Sequence, residues 1–491
     1  MDAGKFDELM RHWARTKPNE IAFADEEYEI TFAQLDSLSH RMAKVLQEEG
    51  ITRGHLVNTT LPSYLGIITT FALHFLGTVS FASGKLIRSN PPLNIDWNIS
   101  LLPNELVALN RTIIIDEPFL ERVKSTPELE SIPGYAKLSD PARLFATSGT
   151  TGTLKYTMAT AGQLESIAAE VGAFDCAGEP EVMGLFPLSA RTTYRHAINS
   201  LVSGRSFFSS GFVDYRLPKV LSKYPIRTLM GSPAQIATFL QLLTNTGTNL
   251  PFLKTIILAG SHPSQVLIER IHSHLDCTVI DIYGSTEAGL ITSREINRDK
   301  ISEFKMDSLV TLQIVDEKNE VVGPKVIGEV RYRKLGMADS YYANPGATTQ
   351  FFREGFFYPG DYGYLNSAGA LVLEGRLDEV FNLGGVKIGA EAVEEIAQAQ
   401  LGVIDCAAFA MLDPSGIEIL GLALVTDDDF DLERFGKVLG KKVPVVPQAL
   451  FKISSIPRNE NGKVLRQALK EGVKVPLKSP LPGLLLRGNC A

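Results

Sequence analysis

Cysteine is scarce in this 491-residue chain: Cys176, Cys277, Cys406 and Cys490 lie far apart and form no C-x-x-C pair. A disulfide framework or a zinc ribbon therefore has no basis, and a reducing cytoplasm is the expected compartment. The eight histidines include no H-x-x-x-H pair on one predicted helix face, which leaves a metalloprotease site without support. Excess positive charge is missing too. The net charge of −8 argues against nucleic acid as the main partner, because phosphate backbones call for clustered cations. Residues 65–82 are the greasiest stretch, yet they contain His74 with several Thr and Ser, so they read as a buried helix passing into a strand. No membrane span is expected. The first residues, Met-Asp-Ala-Gly-Lys, carry no apolar signal core. Repeats and low-complexity runs are also absent. What remains, 44% hydrophobic and 21% charged, describes a folded globular chain with room for two to four domains.

Strand-like and helix-like patterns alternate over the first 300 residues, the signature of an α/β sheet protein. Phe6, Leu9, Met10 and Trp13 recur at helical spacing. Thr31 is placed to cap a helix carrying Phe32, Leu35, Leu38, Met42 and Leu46 on one face. Apolar strands are expected at 55–61, 111–116, 182–187, 255–259 and 278–284, with helices near 63–77, 162–171, 233–243 and 263–274. After about residue 300 the pattern becomes short alternating strands at 309–315, 326–334, 356–365 and 370–374, which suggests a small antiparallel barrel or sheet. Helices at 390–400 and 430–440 with strands at 404–411, 417–425 and 449–455 then form a separate α+β unit. The expected division is a large α/β part over 1–376, with 300–375 as its barrel-like portion, and a small α+β part over 377–491.

Residues 147–155 concentrate phosphate-binding chemistry. Thr147, Ser148, Thr150, Thr151 and Thr153 offer hydroxyls, Gly149 and Gly152 permit close approach of the backbone, and Lys155 adds a cation. Such a loop can cradle a polyphosphate, although the G-x-x-x-x-G-K-[ST] spacing of a Walker A loop is missing. A flexible surface turn is the ordinary alternative. Tyr283-Gly284-Ser285-Thr286-Glu287 ends an apolar strand, where open α/β sheets bind ligands, and Glu287 is a natural Mg²⁺ anchor beside phosphates. Gly360-Asp361 sits in a tight aromatic turn after Phe356-Phe-Tyr, Arg376 follows a glycine, and an aspartate there can accept from a vicinal diol. Gly384-Gly385 is a glycine pair that allows close approach of a ligand. Lys463 projects from the turn-rich segment 457–466, where a lysine suits developing negative charge. Each of these alone also reads as a solvated turn or a surface lysine.

Their order and spacing resemble the adenylate-forming superfamily of acyl- and aryl-CoA synthetases, peptide-synthetase adenylation domains and luciferases. Ser148-Gly-Thr-Thr-Gly152-x-x-Lys155 is similar to its phosphate loop, and Tyr283 through Glu287 to its adenine and magnesium motif. Gly360-Asp361 with Gly375-Arg376-Leu-Asp378 resembles its ribose and hinge motifs, and 457–466 its catalytic-lysine motif. The resemblance implies ATP-dependent activation of a carboxylic acid to acyl-AMP with pyrophosphate release, then transfer to the thiol of coenzyme A. The same motifs serve relatives that load a carrier-protein phosphopantetheine, so both acceptors stay open. It further implies that the 147–155 loop holds phosphates with Mg²⁺ near Glu287, that Tyr283 lies against adenine, and that Thr286 sits near the α-phosphate. Asp361 and Arg376 would hold the ribose, and Lys463 would bridge the carboxylate and the α-phosphate. Asp378 would be the pivot of a mobile small domain, and Gly384 and Gly385 would line the thiol channel.

The chain departs from that pattern at Leu154 and Tyr156, which flank Lys155, and at Ala190, where relatives carry an aromatic residue or His that gates the acyl pocket. Gly260-Ser261-His262 replaces a Gly-Ala-Pro turn. Arg191, Arg195, His196, Ser232, Gly260, Ser261 and His262 are candidates for the pocket wall. A polar wall favours a compact polar or aromatic acid over a long alkyl chain.

Overall fold

The computed structural model describes residues 5–82, 93–102, 111–148, 154–169, 182–210, 213–298, 300–306, 308–376, 380–383, 386–400, 402–412, 418–427, 430–431, 434–436, 438–439, 447–459 and 462–473. The expected loop residues Gly149, Thr150, Thr151 and Gly152, the pivot Asp378 and the pair Gly384–Gly385 lie outside them, as does much of the helix expected at 430–440.

Two sheets dominate the N-terminal part. The first runs, in spatial order, through Gly289–Asn297, Thr278–Ser285, Thr255–Leu258, Thr228–Gly231, Val182–Gly184, Phe207–Ser209, Ile21–Ala24 and Glu29–Thr31. Its interior pairings are parallel and only its margins are antiparallel. The second orders Thr112–Ile114, Trp97–Ser100, Leu56–Thr60, Val79–Ala82, Pro141–Ser148 and Leu154–Thr160, again parallel until the last strand. Helices Phe32–Glu48, Ser63–Phe75 and Arg191–Val202 contribute Leu35, Phe71, Phe75, Ala197 and Leu201 to one core beside Phe23, Ile99 and Phe145. Burying each large apolar side chain stabilises by roughly 1.5–3 kcal/mol. Thr31 caps its helix as expected: its hydroxyl accepts from the Gln34 amide while the Gln34 side chain returns to the Thr31 N–H.

The third sheet, over 310–376, is antiparallel, with Gly328–Lys334 paired to Val310–Val315 on one side and to Phe356–Phe357 and Asp361–Leu365 on the other. The C-terminal residues build their own cores. Helix Ala390–Gln398 packs on strands Val403–Leu412, Glu418–Thr426 and Ala449–Lys452 through Val393, Ala397, Leu420, Leu422 and Leu450. The mixed α/β class expected from the sequence is the class observed. One strand differs from expectation. Gly289–Asn297 turns straight back on Thr278–Ser285, so the antiparallel pattern begins ahead of residue 300. The reversal is sharp at Gly284, where a Cβ would lie 2.2 Å from the Gly289 carbonyl oxygen. No helix among the described residues is long and apolar enough to cross a membrane.

Candidate functional site

The parallel strands of the first sheet all point their carboxyl ends at one edge, where open α/β sheets place ligands. Arg191 follows the strand Val182–Gly184 after a short turn, Ser232 follows Thr228–Gly231, Gly260 to His262 follow Thr255–Leu258, and Gly284 to Glu287 close Thr278–Ser285. The topology thus gathers segments far apart in sequence. The strands on either side of the expected phosphate loop, Pro141–Ser148 and Leu154–Thr160, pair antiparallel in the second sheet, with Thr147 directly opposite Lys155 and Ser148 opposite Leu154.

Glu287 is 7% exposed, and its carboxylate accepts from the Tyr341 hydroxyl at 2.6 Å. Its backbone carbonyl accepts from the Ala338 amide at 2.8 Å. The Lys155 ammonium stands 3.7 Å from the Phe351 ring centroid and 5.2 Å from that of Tyr341. Tyr341 thereby joins the loop lysine to the glutamate. Its partners on the hairpin are equally direct: Tyr341 pairs with Thr157, and the Tyr342 amide donates to the Tyr156 carbonyl at 2.7 Å. Sequence reasoning missed Tyr341. The available signal was a Tyr-Tyr dipeptide just ahead of Asn344-Pro345, where Asn344 caps the helix Pro345–Phe351.

On the other side of the turn, the Tyr283 hydroxyl donates to Asp361 Oδ2 at 2.5 Å. Burial, reinforced by the Asp361 charge, holds the Tyr283 phenol well above its ordinary pKa, so it remains a donor. Asp361 and Arg376 are register partners in neighbouring strands, and Arg376 Nε lies 3.5 Å from Asp361 Oδ1. Arg376 also donates to the Pro359 carbonyl at 2.8 Å. Tyr283, Asp361 and Arg376 therefore form one connected group, in which Tyr283 bonds directly to a residue 78 positions further along the chain.

Lys463 comes from the C-terminal part. Its loop is closed by hydrogen bonds between Asn459 N and Lys463 O at 2.9 Å and between Leu465 N and Pro457 O at 2.8 Å, and the Asn459 side chain accepts from the Lys463 amide at 2.9 Å. Gly462, at φ +76°, lies so close to Ser232 that a Cβ there would sit 2.3 Å from the Ser232 Oγ. This contact brings the Lys463 backbone to the same sheet edge.

The residues expected to wall the acid pocket divide. The Ser232 hydroxyl is taken by a capping box with Gln235 on helix Pro233–Thr246, and Gly462 covers it. Arg195 and His196 lie further along helix Arg191–Val202, where burial, then Arg195 and Arg205, push the His196 imidazole down to about 3. Gly260, Ser261 and His262 are exposed at the strand end. His262 Nδ1 stands 4.0 Å from Asp281 Oδ2, a carboxylate paired to Arg294 at 2.9 Å. Burial raises that Asp281 carboxyl to about 6 although Arg294 opposes it. Arg191 donates to the Thr286 carbonyl at 2.7 Å and the Glu287 carbonyl at 3.3 Å. Tyr156 packs into the second sheet against Phe81, with centroids 6.0 Å apart, and Leu144 shares that cluster. Ala190 is the N-cap of the Arg191–Val202 helix and makes no side-chain capping hydrogen bond.

The family model for AMP-binding enzymes matches residues 99–342, the span holding the hairpin, Arg191 and the Tyr283–Glu287 turn. The chain belongs to the adenylate-forming, AMP-binding enzyme family. It is 25% identical to a 4-chlorobenzoate–CoA ligase of Arthrobacter sp over 94% of each chain. A D-alanine–D-alanyl carrier protein ligase of Bacillus licheniformis is 24% identical, covering 96% of this chain and all of that one. Among solved structures, an anthranilate CoA ligase in complex with anthranoyl-AMP superposes with a TM-score of 0.83 at 19% identity, over 96% of this chain and 99% of the other. That likeness is one of fold.

Among the described residues, Asp7, Asp36 and His40 are the one cluster with three ligand atoms close enough to hold a metal, and they lie between the first two helices. At the edge of the first sheet, Glu287 is the carboxylate that stands beside the loop lysine's aromatic partners. One carboxylate fits Mg²⁺, which ordinarily takes one or two from protein and fills its shell with water and substrate phosphates.

Proposed function

We propose that this enzyme activates a carboxylic acid with ATP and passes the acyl group to the thiol of coenzyme A. A carboxylate oxygen attacks the α-phosphorus and pyrophosphate leaves. The thiol sulfur then attacks the acyl carbon, and AMP leaves with the original carboxylate oxygen. The observation that carries this reading is the Tyr283–Asp361–Arg376 group beside the Thr286–Glu287 turn, with the Lys463 loop seated on the same edge.

Bringing one anion against another needs alignment and charge neutralisation more than a nucleophilic side chain. Thr147 to Lys155 would hold the β- and γ-phosphates. Thr286 would lie near the α-phosphate and Tyr283 against adenine, while Asp361 and Arg376 take the ribose hydroxyls. Lys463 would place its charge between the attacking carboxylate and the α-phosphate. Glu287 would hold Mg²⁺, which when bound adds positive charge at the phosphates. For the second step, residues 377–491 would turn about Asp378, withdrawing Lys463 and presenting Gly384 and Gly385 to the thiol. The separate C-terminal cores support such a movement.

A compact aromatic or polar acid is the favoured substrate class, in keeping with the 4-chlorobenzoate-directed relative and the polar residues at the edge. The carrier ligase relative, matched over its full length, favours a second reading in which a carrier-protein phosphopantetheine accepts the acyl group. A panel of carboxylic acids scored by pyrophosphate release, without acceptor, with CoA and with a phosphopantetheinylated carrier, tests both. Multiple turnovers with CoA and a compact acid are expected. Turnover with the carrier alone would favour the second reading, and release confined to long-chain fatty acids would overturn the substrate class.

A further inference from the structure

The Arg191–Val202 helix breaks local rules at its start. Its N-cap is Ala190, which makes no side-chain cap, and its first turn carries no acidic residue. Arg191 instead places a cation at the positive end of the helix dipole, with Arg195 four residues on, in a like-charge spacing. Each of these choices is locally unfavourable to the helix. A local conflict that the rest of the fold does not require marks a functional position more often than a structural one.

The guanidinium at the end of that side chain contacts two other segments. Nη1 donates to the Thr286 carbonyl at 2.7 Å and to the Glu287 carbonyl at 3.3 Å. The guanidinium carbon lies 5.8 Å from the ring centroid of Phe145, two residues before Thr147. A reciprocal contact backs it: Arg143, on the Phe145 strand, stands 4.1 Å from the ring centroid of Tyr194, on the Arg191 helix. Two cation–π contacts of opposite sense thus tie this helix to the strand that enters the phosphate-loop hairpin. From the same anchored helix, Arg191 reaches across to the turn.

The anchors on Glu287 from the opposite side, Ala338 N–H and the Tyr341 hydroxyl, fix its carbonyl and its carboxylate. Arg191 contributes the hold on the Thr286 carbonyl. A planar guanidinium suits this job, since it offers several donors in a fixed fork and stacks on a ring at once.

We infer that Arg191 is a positioning residue, which clamps the Thr286–Glu287 backbone to the strand leading into the phosphate-loop hairpin and so sets the distance between the two phosphate-binding segments. The inference rests on the adenylation reading above for its kinetic consequence, but the clamp itself has a readout independent of turnover.

The test uses Arg191→Ala and Arg191→Lys in the full chain. The first measurement is amide hydrogen exchange over residues 284–290, compared with the strand Val182–Gly184. Arg191→Ala should exchange tenfold or more faster over 284–290 and unchanged in that strand. The second is acid-dependent ATP–pyrophosphate exchange. For Arg191→Ala, kcat should fall on the order of 10- to 100-fold, as for other supports behind reacting groups, with KM for the acid within about twofold of the parent. Arg191→Lys, which keeps a donor, should recover part of both effects. Unchanged exchange over 284–290 would overturn the clamp. A rise in acid KM at constant kcat would make Arg191 a pocket-wall residue instead, and faster exchange throughout the molecule would make it merely structural. Failure of the adenylation reading shows separately, as a parent enzyme without acid-dependent pyrophosphate exchange.

Discussion

Lys463 carries the sharpest residue-scale expectation. Its loop reaches the sheet edge through Gly462 and Ser232, so under the proposed function the lysine would serve the step during which that contact exists. Lys463→Ala should lower adenylate formation by about 10²–10³-fold, the usual loss when a preorganised charge donor is removed. Thioesterification of supplied acyl-AMP should proceed near the parental rate. Equal loss of both half-reactions, measured separately by pyrophosphate release and by thioester formation, would sink the role. Residues of this kind were legible in the sequence because their chemistry is local, written in short motifs such as Tyr283 to Glu287. Tyr341 was not, and Arg191 was read only as a pocket-wall candidate, without its contact to the Thr286–Glu287 turn. Neither sits in a glycine-rich segment, and their meaning comes from partners 54 and 95 residues away. Ser232-Pro-Ala-Gln235 carries a capping-box pattern that the fold obeys, a local role the pocket-wall reading did not include.

At the scale of elements, the first two helices depend on a buried imidazole. His40 Nε2 lies 2.8 Å from Asp7 Oδ1, and Nδ1 lies 2.8 Å from the Asp36 carbonyl. Both neighbours accept, so the site favours the protonated ring, in which both nitrogens donate. Burial alone would push its pKa down, but the bonds to Asp7 and to the Asp36 carbonyl outweigh burial, and the net shift is upward despite nearby Arg11. A folded pKa above the unfolded value, near 6.5, means that the stabilisation is fully present below about pH 6.5 and is lost as pH rises through the folded pKa. The melting temperature should therefore fall as pH rises through that range, and His40→Gln should flatten the slope. A parent whose stability rises over the same range would refute the assignment. Periodicity located these helices well, as in the Thr31 cap, because an apolar stripe repeats every turn. It missed the strand Gly289–Asn297, whose reversal depends on the close approach of Gly284 to Gly289 rather than on any pattern of apolar residues.

For the whole molecule, the proposed two-step chemistry assigns the contact between the C-terminal loop and the first sheet to the first step. Gly462 tolerates neither a β-carbon nor, at φ +76°, an easy replacement of its backbone conformation. Gly462→Ala should reduce adenylation at least tenfold while leaving transfer from supplied acyl-AMP and the melting temperature little changed, because the displaced contact joins two parts with separate cores. Unaltered pyrophosphate release in that variant would show the contact to be dispensable. The fate of the carboxylate oxygen tests the account most directly. With a turned-over acid labelled with oxygen-18 in its carboxylate, and with unlabelled ATP, water and CoA, AMP recovered from the reaction should carry one labelled oxygen per turnover. Unlabelled AMP, or ADP and phosphate as products, would contradict an acyl-adenylate intermediate.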